Sequence, residues 1–595
     1  MTKQIKKDGF IMQAGILAVA GILSRIIGLL YNSPMTAIIG DEGNGYYAFA
    51  YRAYTIVLLI SSYSIPSAIS KVVAGHLAGG EYKNAHRIFK GAMLYVIFVG
   101  GSASLLVFFF ADKLLSLAGA ATVLKFFAPT IFLSGILGVL RGYFQAHRTM
   151  AQTSVSQILE QILNALVSIL LAIWLTGLMP FNIAGAEEAT RRSVNGAIGG
   201  ALGTGFGVLT GIIFMWAIYY LNKKTIKRRI EQDKHPEELS YQAIFKMILF
   251  VVTPFILSTC IYNINSFINA TIFSSVMAAK EVSVSEIAVL MSAVEKSTKI
   301  SNIPIALAAA MSAALIPGIA GDFAVKRLDL CRDKVAKAIR STMFIAIPAA
   351  MGILALSKPV MLLLYPQRET LDLSANLLII MAAGVVFYSL STLSSAVLQG
   401  TGRVNSPVVN AAIALVLQTV VLDLVLFYTD FSTYAMAVAP LLFAFLMCLL
   451  NALSVRRHLE YRQEWDRTFF RPLLISIVMA ALAFGTYHGF YFLLKMNLPA
   501  LIIAVLVGAL VYFVLVVKFK VVSEAEIKWL PHSKQLTELV GKIGAKRERK
   551  NKHGHGQGHE HEHGQEQEQK QAKDQKESAA SGDKNDFEFD FLDEE

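Results

Sequence analysis

Fourteen apolar stretches of spanning length follow one another between residues 10 and 518 of this chain, and that succession limits the fold more than any motif. About 20 apolar residues make a helix as long as the hydrocarbon core of a bilayer is thick, and in that solvent a helix satisfies all its own backbone hydrogen bonds. The stretches fall at 10–32, 46–72, 88–111, 124–147, 153–176, 195–221, 242–274, 285–317, 337–357, 373–399, 405–428, 433–454, 472–494 and 498–518. With 55% hydrophobic and 16% charged residues, such a chain has far more apolar surface than soluble cores could hide. The expected fold is an all-α polytopic membrane protein with fourteen transmembrane helices. The first stretch has no small-residue cleavage site, so it is expected to stay as the first helix rather than leave as a signal peptide.

Loop charge tests the count, because basic loops should alternate from side to side. Lys3, Lys6 and Lys7, then Lys83, Arg87 and Lys90, Lys223 to Arg229, Lys326 to Arg340, and Arg456 to Arg471 are strongly basic and are expected on the cytoplasmic side. Between them lie connections such as 32–44 with Asp41 and Glu42, and 177–193 with Glu187 and Glu188, which are expected outside. Both termini are then cytoplasmic, in a multi-pass protein of the cell membrane. The formal charge of +12 becomes a topological signal and an affinity for anionic phospholipids; no pattern of basic and aromatic residues points to nucleic acid. Cys260, Cys331 and Cys448 have no metal or redox spacing and read as free thiols. No Walker-type loop is present, no cofactor is expected and no metal site is assigned.

Charges inside apolar stretches are costly and usually face a wet interior. Arg25 lies in the first stretch and Arg52 in the second; Lys71 closes the second; Glu295, Lys296 and Lys299 cluster in the eighth. Glu295 and Lys299, four apart, share a helical face and read as an internal pair that neutralises Lys299 until a ligand displaces it. Each position has a second reading: Arg25 as a packing residue bonded to carbonyls, Arg52 and Lys71 as snorkelling residues. Arg141 and Glu160 read equally as a salt bridge locking two helices and as ligands. Pro66, Pro304 and Pro317 remove helix hydrogen bonds and are hinge candidates, while the glycine-dense run 196–211 favours close helix packing.

The order of marks repeats. Ile65-Pro66-Ser67-Ala68 running on to Ala78-Gly79-Gly80-Glu81-Tyr82 is echoed by Ile303-Pro304-Ile305-Ala306 running on to Ala320-Gly321-Asp322-Phe323. Phe144-Gln145-Ala146-His147-Arg148 is echoed by Leu398-Gln399-Gly400-Thr401-Gly402-Arg403. Corresponding marks keep their order and side, so the repeat is parallel and six spans long: two pseudo-symmetric six-helix lobes around a central cavity plus two C-terminal helices, an alternating-access design. The expected organisation is 1–222 and 242–455 for the lobes, 223–241 for a cytoplasmic linker and 456–520 for the added spans. Residues 521–545, opening with Ser523-Glu524-Ala525-Glu526, read as a cytoplasmic amphipathic segment. The polar tail 546–595 reads as disordered, with His553, His555, His559, His561 and His563 a weak metal-binding alternative.

Three runs carry a resemblance to a known family: Leu23-Ser24-Arg25-Ile26-Ile27-Gly28-Leu29-Leu30-Tyr31, Leu140-Arg141-Gly142-Tyr143-Phe144-Gln145, and Asn302-Ile303-Pro304-Ile305-Ala306-Leu307 with Ala314-Leu315-Ile316-Pro317 after it. Together with Tyr46 to Arg52 and Ile65 to Lys71 they resemble the polysaccharide-exporter branch of the MOP superfamily. Within it, they are most similar to the stage V sporulation protein B and Gram-positive MurJ-like lipid II flippases, over about residues 8 to 540. The resemblance implies a flippase, not an enzyme, for an undecaprenyl-pyrophosphate-linked glycan such as lipid II, serving peptidoglycan biosynthesis or sporulation, with cell-wall synthesis proteins as partners. It also implies headgroup-binding roles for Arg25 and Lys299. The chain departs from Gram-negative members at Tyr31, at Gly45 or Tyr46, and near Leu58, so the cavity is expected either to be less basic or to use Arg52 and Lys71 instead. The competing readings are an exporter of another polyprenyl-linked unit, a multidrug or cation antiporter, a glycan polymerase and a nontransporting envelope-assembly scaffold. Twelve spans with a dominant buried carboxylate would mark the antiporter, and long outer loops with carboxylates the polymerase.

Overall fold

The computed structural model describes residues 2–63, 65–147, 149–177, 188–233, 238–365 and 367–519. The amphipathic segment 521–545 and the tail 546–595 lie outside the described residues. Among the described residues every regular element is a helix: α1 (Thr2–Leu58), a π-helical turn (Leu59–Tyr63), α2 (Ile65–Ala78), α3 (Tyr82–Leu114), α4 (Ala118–Ala146), α5 (Met150–Gly177), α6 (Glu188–Glu231), α7 (Tyr241–Ala279) and α8 (Val284–Ala324). After them come α9 (Leu328–Leu364), α10 (Leu371–Gly400), α11 (Asn405–Tyr428), α12 (Ser432–Leu459), a second π-helical turn (Asp466–Phe470), α13 (Arg471–Leu494) and α14 (Asn497–Lys518). Among the described residues, eleven helices are long and apolar enough to cross a membrane. Their outward faces fit lipid rather than water, since Phe109 is 71% and Phe492 82% exposed, an arrangement that soluble surfaces avoid.

The first connection differs from the sequence reading. No loop separates residues 32 and 44; α1 is helical on both sides of one break at Gly40, whose φ of 70° and ψ of 178° suit glycine alone. Asn32, before the break, and Arg52, after it, both bond α8, at Lys299 and Glu295 respectively. Those two residues are one helical turn apart, so the two arms of α1 fold back beside one another.

α1 to α6 pack among themselves, with α5 on α6, α3 on α4, and α1 across α4, α5 and α6. The glycine-dense run lies on α6 against α5, where a Cβ on Gly199 would stand 2.5 Å from the Ala172 nitrogen. In the following six helices, α10 is central and touches α8, α9 and α12, while α11 packs on α12 and α7. α13 and α14 pair with each other and lean on α9. That helix is broken at Leu356 (φ −116°, ψ 22°), just ahead of Pro359, whose ring excludes the carbonyl four residues back. Asn497 donates to the Pro359 carbonyl at 3.0 Å and Tyr487 donates to Asn497 at 2.9 Å, which ties the pair to the break.

The two sets of six meet mainly along α1 and α8. α8 starts on a capping sequence, Ser283 with Glu286 three residues on, the Glu286 amide donating to the Ser283 hydroxyl at 3.2 Å. Pro304 and Pro317 lie within its 41 residues. Pro66 sits in the first turn of α2, directly after the π-helical turn, where its missing N–H costs no intrahelical bond.

Candidate functional site

A cavity of about 350 Å³ opens where the second arm of α1 faces α7, α8, α10 and α12, a size within the roughly 300–1,000 Å³ of small-molecule sites. Its wall mixes carboxamides and hydroxyls, including Asn265, Asn269, Thr298 and Ser301, with the rings of Tyr51 and Tyr388. Arg52 and Glu295 are its charged groups among the described residues.

Arg52 is fixed by both neighbouring helices. Its Nη2 donates to Glu295 Oε2 at 2.9 Å and its Nη1 to the Ser266 carbonyl at 3.2 Å. The side chains of Arg52 and Glu295 are 10% and 14% exposed. Lys299 stands 3.9 Å from Glu295 Oε1 and donates to Asn32 Oδ1 at 2.7 Å. The pairing of Glu295 with Lys299 is therefore present but secondary: Arg52 is the nearer partner of the carboxylate, and Asn32 that of the ammonium. A carboxylate between two cations keeps every charge compensated inside the bundle, which an isolated buried charge would not be.

Arg25 and Lys71 are outside this group. Both side chains are exposed, neither lines the cavity, and neither has a hydrogen-bond or ion-pair partner among the described residues. Arg25 is seven residues before Asn32, just under two turns, so the two share a face of α1, with Arg25 about 10 Å farther along the axis. Arg141 and Glu160 meet elsewhere, between α4 and α5: Arg141 Nη2 donates to Glu160 Oε2 at 2.7 Å and its Nε to Ser156 at 2.7 Å. They tie two helices of the first set together.

Sequence reasoning missed Asn32, because a neutral amide in an apolar stretch gives no charge signal. It also missed that Lys296 and Lys299 part company. Lys296 is 2% exposed and bonded to Asp41 and Thr370. The signal was there: residues 295 and 296 are adjacent, so a helix sends them about 100° apart and they need separate partners. Cys331 and Cys448 are unpaired thiols; the Cys260 side chain lies outside the described residues. No cluster of metal-ligating side chains occurs among the described residues.

A protein-family model, Lipid II flippase MurJ, matches residues 92–501. The Lipid II flippase MurJ of Bacillus subtilis (strain 168) is 26% identical over 467 residues, which span 75% of this chain and 82% of the relative. Stage V sporulation protein B of the same organism is 23% identical over 549 residues, 88% of this chain and 98% of the relative. Among solved structures, a lipid II flippase MurJ in an inward closed conformation matches with a TM-score of 0.61 at 16% identity, over 84% of this chain and 98% of that one, a likeness of fold.

Proposed function

The chain belongs to the Lipid II flippase MurJ family of membrane transporters, and from that premise we propose that it carries an undecaprenyl-pyrophosphate-linked glycan precursor, lipid II foremost, from the inner to the outer leaflet by alternating access. The observation that carries the reading is the cluster of Arg52, Glu295 and Lys299 at the meeting of α1 and α8. A diphosphate is anionic and hydrated; an arginine fork binds it through paired donors and a lysine through a point charge. In the empty cavity Glu295 occupies both cations, and an arriving phosphate takes its place. Arg25, on the same face of α1, is the first cation the headgroup meets on its way in. The carboxamides, hydroxyls and tyrosine rings of the wall suit the sugar portion, while the polyprenyl tail stays in lipid.

This reading counts the two arms of α1 as separate spans and admits α7 and α8, 39 and 41 residues long, which gives fourteen spans in two six-span halves with α13 and α14 added. It places the basic loops and both termini in the cytoplasm, by the positive-inside rule, so that Gly40 and Asp41 lie toward the outer face. Lys71 then serves at the inner membrane surface.

The test is surface exposure of lipid II in cells depleted of their own flippase. The wild-type chain is expected to restore it. Arg52→Ala and Lys299→Ala, inserted at normal levels, are expected to lower it by about 10-fold or more, since a hydrogen bond to a charged group is worth about 1.5–3 kcal/mol. Arg25→Ala is expected to do so less completely. Failure of well-inserted wild type to restore exposure removes lipid II as the cargo and points to another polyprenyl-linked glycan.

A further inference from the structure

Lys296 builds a second buried cluster, separate from the cavity and on the Gly40 side of the α1–α8 contact. Its ammonium meets the Asp41 carboxylate and donates to the Thr370 hydroxyl at 3.0 Å, which itself donates to Asp41 Oδ2 at 2.6 Å. Ser292 donates to Asp41 Oδ1 at 3.1 Å and receives the Asn44 amide at 2.9 Å. The Tyr365 ring closes the cluster, its centroid 5.4 Å from the ammonium. Lys296 is 2%, Thr370 3% and Asp41 7% exposed. The carboxylate belongs to α1, the ammonium to α8, and the hydroxyl to the residue that precedes α10.

We infer that Asp41, Lys296 and Thr370 form a latch holding the outer side of the transporter shut, positioning residues that act through the α1–α8 contact and touch no cargo. Only the assignment of this side as outer rests on the function proposed above. Three segments from the two sets of six converge on one charge pair, and any separation of α1 from α8 at this level must pull that pair apart. Removing one partner leaves a lone buried charge, which must be hydrated or exposed; removing both in favour of apolar groups of similar size leaves a contact as good as the original or better. A latch therefore gives opposite results for single and double replacement. A pair that matters only for folding shows the same rescue in folded yield but leaves the labelling of the folded fraction unchanged, so labelling of monodisperse protein separates the two roles.

The experiment uses the full chain with Cys260, Cys331 and Cys448 replaced by Ala and one reporter, Thr55→Cys, on the cavity wall. It is reconstituted in liposomes without glycan lipid and labelled with a membrane-impermeant maleimide from either side. Lys296→Met is expected to raise labelling from the outer side by about 10-fold, the ratio that 1.4 kcal/mol sets. Thr370→Val, the mildest change, raises it several-fold and decides the matter if Lys296→Met does not fold. Asp41→Leu with Lys296→Met is expected to label no faster than the parent. Parent-like labelling of monodisperse Lys296→Met and Thr370→Val overturns the latch, as does fast labelling of the double variant. A rise from the basic-loop side alone overturns the outer assignment. Because no cargo is present, these outcomes are independent of whether lipid II is carried.

Discussion

Gly45 gives the sharpest test of how closely α1 and α8 approach. A Cβ built there would lie 1.8 Å from the Ala288 carbonyl oxygen and 2.4 Å from its carbon, where ordinary contact begins at 3.4 Å. Both obstacles are backbone, so no rotamer change relieves them. Gly45→Ala must part the two helices by about 1.6 Å, the difference between those two distances. The Asn44–Ser292 hydrogen bond beside it, now 2.9 Å, then stretches to about 4.5 Å, past the ~3.2 Å at which such bonds hold. Over-packing costs about 1–3 kcal/mol and the lost bond about 1 kcal/mol. A sum of about 2–4 kcal/mol disfavours the closed contact by roughly 30- to 1,000-fold. The assay is disulfide formation between Asn44→Cys and Ser292→Cys in the chain with its three native cysteines replaced, following the initial rate under mild oxidant. With Gly45 present the pair is expected to cross-link readily; with Gly45→Ala, at equal folded yield, the rate is expected to fall by roughly 5- to 150-fold, the over-packing share alone, because the two cysteines have already removed the hydrogen bond. Equal rates would refute the claim that the glycine is there to let the two backbones touch.

Glu295→Gln is expected to bind an anionic glycan lipid more tightly and turn over more slowly, because its amide competes less well for Arg52 and Lys299; equilibrium binding alongside a flipping assay separates the two effects. Arg141→Ala leaves Glu160 half-buried without its cation and is expected to lower the thermal unfolding midpoint in detergent, at a cost of about 1–3 kcal/mol. Lys71→Ala, which removes an exposed group, is expected to stay within about 0.5 kcal/mol of the parent. Gly40→Ala forces a side chain into φ 70°, ψ 178°, strain of about 1–3 kcal/mol, and is expected to reduce folded, membrane-inserted yield, measured by size-exclusion profile.

The helices were legible because apolar runs of spanning length have one solution in a bilayer. α11 ends where the apolar run 405–428 ends, and α14 begins one residue before the run 498–518. Where the reading departs from the structure, helix formation outlasts apolarity. α6 continues to Glu231 through Lys223, Lys224, Lys227, Arg228 and Arg229, long side chains that favour helix and need no lipid. Residues 32–44 stay helical except at Gly40 against the propensity of Asn32, Ser33, Pro34, Gly43 and Asn44, with Thr36 donating to the Asn32 carbonyl and Asp41 and Asn44 bonded to α8. The site was half legible. Arg52, Glu295 and Lys299 stood out as charges in apolar runs, but Arg25 and Lys71 carried the same signal and are exposed. A charge in such a run announces a cost; which face of the helix it occupies, and who waits there, is settled by helices hundreds of residues away.

That limit explains why the cluster at 295–299 was under-read. Three charges within five residues look like one group, yet α8 sends Glu295 and Lys299 toward Arg52 and Asn32, and Lys296 toward Asp41 and Thr370. The five buried or half-buried charges at this contact are three cations and two carboxylates, so pairing leaves one positive charge in excess. For the cargo proposed above, a single excess cation gives a diphosphate little in exchange for its hydration, and the Lys296–Asp41 pair is buried away from the cavity. In that proposal the cluster on the cavity wall yields more positive charge by giving up its internal carboxylate. Glu295 is then proposed to set the balance between a stable unloaded cavity and an attractive loaded one.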